Sequence, residues 1–198
     1  MKSILSVAAA ALCLAAVAAP ARAAYVIDLR EVGADIDATG SGSLDLTGLT
    51  ALGLIHAFDD LNGGEAQAVV GAFPATSRLD GYRGLAGPTT FGGPFPQDSS
   101  SGSGTFVLVN GSGGLLAVTP GYVSGTPAGL STAVFSNNSF ASLHLTPGTY
   151  AWTWGQGEHA DNLTLNIGVP EPATWAMLIL GIAAIGAVAR GRRRTAAA

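Results

Sequence analysis

Between Tyr25 and Ile167 apolar and polar residues alternate in short runs, and glycine, proline, asparagine and serine separate the runs. This pattern predicts short β-strands joined by tight turns. Tyr25-Val26-Ile27-Asp28-Leu29-Arg30-Glu31-Val32 reads as a first strand, and Ser43-Leu44-Asp45-Leu46-Thr47 alternates in the same way. The apolar runs 52–58 and 66–73 fit strands, although runs this short also suit a helix. Residues 105–109 and 115–118 form an expected hairpin across Asn110-Gly111-Ser112-Gly113-Gly114, because Asn-Gly favours a tight reversal. Residues 81–103 read as a loop, with Pro88, Pro94, Pro96 and a serine run.

The last third is the clearest. Leu143-His144-Leu145 leads to Thr146-Pro147-Gly148, which suits a type II turn with proline second and glycine third. Thr149–Trp154 then places Tyr150, Trp152 and Trp154 on one face and small residues on the other. After Gly155-Gln156-Gly157, the segment Leu163-Thr164-Leu165-Asn166-Ile167 alternates again. The expected fold class is mainly β. The segment between the two ends, residues 24–169, is read as one domain, a β-sandwich of about eight to ten short antiparallel strands.

The two ends do not share this pattern. Lys2, the apolar run Ile4–Ala19, Pro20 and Ala21-Arg22-Ala23 have the form of a signal peptide over residues 1–23, with Ala21 and Ala23 as the small residues at the cleavage site. At the other end, Pro170-Glu171-Pro172 precedes an apolar run over 173–189 that carries Trp175. Its 17 residues reach the lower limit for a transmembrane helix. Arg190, Arg192, Arg193 and Arg194 follow, a cluster expected on the cytoplasmic side. The prolines hold the approach extended and open to a protease.

Motif, apolar span and arginine cluster, in that order over residues 170–194, resemble the PEP-CTERM sorting signal in its proteobacterial form. The resemblance implies recognition by an exosortase, a membrane-embedded processing enzyme that removes the tail and passes the protein outward. It also implies a membrane-anchored precursor, a final place at the cell surface or outside the cell, and a setting of exopolysaccharide and biofilm. Residues 38–49, 113–118, 121–125 and 146–155 resemble a group of PEP-CTERM proteins of unknown function; that likeness supports one domain, carries no known activity and adds nothing about substrate.

Charge and cysteine content narrow the function. From Ala24 to Val169 there are twelve acidic residues against Arg30, Arg78 and Arg83, a net charge of −9. Such a surface lacks the cations that nucleic acid or anionic lipid requires. The lone cysteine, Cys13, lies in the leader, so disulfides and thiolate chemistry are absent from the exported part. Glycine, 28 of 198 residues, is about twice as frequent as usual and fits many tight turns.

No residue set points to catalysis, and a non-enzymatic protein without cofactor or metal is expected. His56, His144 and His159 lack metal-ligand spacing. The runs 35–40 and 59–65 are oxygen-rich, but neither has the calcium-loop spacing. Glu158, His159 and Asp161 share the final turn, and a solvated turn is the simpler reading. Tyr150, Trp152 and Trp154 offer a sugar-stacking stripe and thus an alternative function as a carbohydrate-binding module; an aromatic stripe on a strand more often belongs to a core. A third reading, an envelope hydrolase, would need paired carboxylates in a cleft.

Overall fold

A computed structural model describes residues 24–168. The signal peptide with Ala21 and Ala23, the PEP-CTERM residues Pro170, Glu171, Pro172 and Trp175, the apolar span 173–189 and the arginines 190 and 192–194 lie outside the described residues.

The described chain is mainly β, with thirteen strands and three short 3-10 turns. Strands are numbered along the chain. The larger sheet has the order β12 (Gly148–Trp154), β13 (Asp161–Ile167), β1 (Ala24–Val32), β2 (Asp35–Ser41), β11 (Ser131–Phe135) and β8 (Ser101–Ser103). The second sheet runs β3 (Thr50–His56), β6 (Arg78–Arg83), β10 (Leu115–Val118), β9 (Val107–Asn110) and β5 (Gln67–Val70). A third pairs β4 (Asp60–Leu61) with β7 (Gln97–Asp98).

Alternation along the strands builds the core. On β1 the residues Tyr25, Ile27 and Leu29 are buried, and on β13 so are Leu163, Leu165 and Ile167. Side chains of both larger sheets join one hydrophobic cluster, with Val69, Val107, Leu116, Phe106 and Phe135 at full burial. Strands β5, β9 and β10 are covered on both faces, which is why Gln67-Ala68-Val69-Val70 and Val107-Leu108-Val109 read as unbroken runs.

Pairing is antiparallel with one exception. Strands β1 and β13 run parallel, with Ala24 opposite Asn162 and Leu29 opposite Ile167. Parallel neighbours need a long crossover, and here nearly the whole domain lies between them. The described chain therefore begins and ends at opposite ends of this strand pair. Gly42 makes room where β2 meets the start of β1. Its φ is +123°, and a β-carbon there would lie 2.0 Å from the Ala24 carbonyl oxygen.

Some local expectations are corrected. Residues 43–47 are not a strand. The Asp45 side chain accepts a hydrogen bond from the Thr47 amide, turning the chain into a 3-10 turn at Leu46–Gly48. Residues 143–145 are a turn, with His144 left-handed at φ 52° and the Leu145 amide bonded to the Phe140 carbonyl. Gly148 begins β12 rather than closing a type II turn, since its φ is not positive. The stretch 81–103 starts inside β6 and contains β7 and β8. The rest of it is stitched down by Leu85 N to the Gly114 carbonyl, a bridge of Ala86 to Thr153, and Phe91 N to the Gly63 carbonyl.

Candidate functional site

The aromatic stripe packs inward. Trp152 has no exposed surface and Trp154 is 5% exposed. The Trp152 indole donates from Nε1 to the Pro88 carbonyl at 2.8 Å, and that of Trp154 to the Asp45 carbonyl at 2.7 Å. Tyr150 is half-buried, lies 5.5 Å from Phe91 between ring centroids, and donates its hydroxyl to the Thr146 carbonyl. Two of the three rings are thus closed to a sugar, because their faces are spent on the core.

Around Asp45 a knot of polar groups ties three distant segments. Its carboxylate accepts from Thr47 N at 2.9 Å and from Ser124 Oγ at 3.1 Å, and its Oδ2 lies 2.9 Å from His159 Nδ1. Asp161 Oδ2 accepts from the Asp45 amide at 2.6 Å. Bonds from the Thr47 side chain, then His159, hold the Asp45 carboxyl well below the usual carboxylate range, whereas burial raises that of Asp161. The order Ser124–Asp45–His159 puts the carboxylate in the middle. A nucleophilic triad needs the imidazole there, to take the serine proton, so this knot fixes loops. Glu158 sits in the 3-10 turn Gly157–His159 beside it.

A second concentration of carboxylates lies where β4 meets β7. Asp60 stands directly opposite Asp98. Asp59 Oδ2 accepts from Ser99 Oγ at 2.5 Å, while its Oδ1 is buried without a hydrogen-bond partner among the described residues. Asp60 Oδ1 accepts from Gln67 Nε2 at 2.5 Å. Burial first, then Asp98 and Asp60, push Asp59 up to about 6, against the bond from Ser99. Burial, Asp98 and Glu65 likewise raise Asp60. Two cavities flank this pair, of about 560 Å³ and about 380 Å³, and both are lined by Asp98 and by Phe58, which is 78% exposed.

The oxygen-rich runs have structural duties. Residues 35–40 belong to β2, so Asp35 and Asp37 alternate along a strand instead of curling round an ion; Asp35 Oδ1 accepts from the Asn137 amide at 2.8 Å. Asn62 caps the turn Gly63–Glu65 through Gly64 N. Among the described residues no group of three or more His, Cys, Asp or Glu is placed to hold a metal ion. His56 ends β3, and His144 stacks on Phe95 with ring centroids 4.4 Å apart. Sequence reading missed Asp98, Ser99 and Ser124. Ser99 lies 40 residues from Asp59, and Ser124 lies 79 from Asp45, and no spacing rule reaches so far.

The fold closes at Gly168, whose amide bonds the Leu29 carbonyl at 3.0 Å. From that residue to Arg194 the chain matches the model of the PEP-CTERM protein-sorting motif. The chain carries a PEP-CTERM protein-sorting motif. It marks an exported protein that an exosortase sorts. Pro170, Glu171, Pro172, Trp175 and Arg190, Arg192, Arg193 and Arg194 all fall within the matched interval. Comparison with curated proteins gives no match, and comparison with solved structures gives none.

Proposed function

We propose that this PEP-CTERM protein is a non-enzymatic component of the cell surface or extracellular matrix, held near exopolysaccharide after its tail is removed. In this reading residues 1–23 are a signal peptide, and 173–189 anchor a transient membrane precursor with the arginines inside. Residues 24–169 are then a β-sandwich released outward. The observation that carries the reading is the junction at Gly168: the sorting match begins where the last core strand has already ended. That boundary supports a tail that can be removed without cutting into the described strands. The acidic, thiol-free composition of residues 24–168 suits an exterior setting.

Carbohydrate binding through the stripe Tyr150, Trp152 and Trp154 is the weaker reading, given the burial of both tryptophans. Fractionation of a producing culture tests the proposal. The processed domain should be recovered with the extracellular polysaccharide and leave it when the polymer is degraded. Recovery of the processed domain as free protein in the medium, with polymer present, would contradict the matrix role.

A further inference from the structure

The clasp of β4 and β7 is a local conflict. Like charges directly opposite on paired strands destabilise the pairing, and here Asp60 faces Asp98. Asp59 adds a buried carboxylate oxygen without a partner among the described residues, which costs more than a bond left unmade at the surface. Glu65 closes the group from the turn Gly63–Glu65, where Asn110 Nδ2 donates to its Oε2 at 3.0 Å. The neutral neighbours are Ser99, Gln67 and Asn110. The basic groups on the adjoining strands are His56 at the end of β3 and Arg78 opposite it on β6. His56 lines the larger cavity with Asp59 and Asp98, but among the described residues no hydrogen bond or ion pair joins it or Arg78 to the carboxylates; burial, the neighbouring carboxylates, Ser99 and Gln67 set the shifts of Asp59 and Asp60.

We propose that β4 and β7 form a proton-closed latch, loose while Asp59, Asp60 and Asp98 are all ionised and tight once the group takes up a proton. A proton on Asp59 removes one negative charge from the group and gives its half-buried carboxyl, whose Oδ1 is enclosed, the neutral form that desolvation favours; a proton on Asp60 relieves its opposition to Asp98. The sign follows from the upward shift. The stabilisation is fully present below the ordinary carboxylate range and is lost as pH rises through about 6. Phe58 and Asp98 form the wall common to both cavities. Loosening β7 joins the two cavities and uncovers Leu61, which is fully buried when the latch is closed. This device is independent of the sorting reading, and an exported domain would meet it as the surrounding pH changes.

Amide hydrogen exchange on the full-length chain in detergent tests the latch, corrected at each pH for intrinsic exchange. The reporter is the Ser99 amide, which bonds the Asp59 carbonyl at 3.0 Å across the clasp. Leu165, in the core strand β13, is the reference. Between pH 7.5 and 5.0 the protection of Ser99 should rise roughly three- to tenfold relative to Leu165. Tenfold is the full effect of a carboxyl at about 6 over this interval, and screening on its solvent-facing side lowers it. Asp98→Asn removes an exposed charge at no packing cost. It and Asp59→Asn should show the tighter protection already at pH 7.5 and little further gain on acidification. His56→Gln should keep the wild-type response. A wild-type Ser99 signal that is flat or weakens toward pH 5.0 would overturn the latch. So would an unchanged response in both asparagine variants, or its loss in His56→Gln.

Discussion

Replacing Trp152 by alanine separates a core residue from a ligand-binding one. The indole is fully buried, and at roughly 25 cal/mol per Å² its 150–250 Å² represent about 4–6 kcal/mol of burial. Its Nε1 bond to Pro88 at 2.8 Å contributes about 1 kcal/mol net. Collapse into the vacancy is hindered by backbone on both sides: a β-carbon on Gly87 would meet the ring at 2.6 Å, and one on Gly111 would meet Nε1 at 2.6 Å. The measured range for such truncations is about 3–5 kcal/mol. We therefore expect about 4 kcal/mol lost, which lowers Tm by roughly 8–16 °C in a chain of this size. Trp152→Phe keeps most of the packing and should lose about 1–2 kcal/mol, chiefly the hydrogen bond. Thermal melts followed by circular dichroism, with retention on extracellular polysaccharide measured alongside, give the answer. A Trp152→Ala protein that melts within about 2 °C of wild type but no longer binds polysaccharide would refute the core assignment.

Four further tests follow from other parts of the chain. Asp45→Ala removes the cap on Thr47 and the bonds to Ser124 and His159, and should cost about 1 kcal/mol by denaturant titration at pH 7. Because the Asp45 carboxyl is held well below its usual range, its contribution is present above about pH 4 and lost as pH falls further, so the variant should show a shallower acid transition. Gly42→Ala sets a side chain against the Ala24 carbonyl at a positive φ and should lose about 3 kcal/mol or more, read as a lower midpoint in urea. Pro170-Glu171-Pro172→Ala-Ala-Ala should trap an anchored precursor. A chain stopped after Gly168 should fold with the same near-ultraviolet spectrum yet go unsorted.

Legibility in the sequence depended on distance along the chain. The hairpin of β9 and β10 was visible because both strands flank Asn110, whose Oδ1 accepts from Gly113 N and Ser112 Oγ and so shapes the turn it announces. The β12–β13 pair was visible for the same reason, its partners separated by one short turn. The parallel contact of β1 with β13 was not, since alternation tells which face a residue takes but not which strand lies beside it. Alternation also misled at residues 43–47, where side-chain bonds to the backbone outweigh strand pairing. The carboxylate clasp escaped notice because Asp98 sits in a stretch whose prolines and glycines suggested a plain loop. By contrast, the sorting end was legible residue by residue, as a signal read by another protein must be.

The central claim is that this chain is exported and processed at its C-terminal sorting motif. The most direct measurement is the intact mass of the protein recovered outside the producing cells. The recovered species should begin near Ala24 and end close to Pro170-Glu171-Pro172, lacking the apolar run and the arginines of the matched interval. An extracellular product that still contains Trp175 to Arg194, or a chain that stays in the cytoplasm at full length, would contradict it.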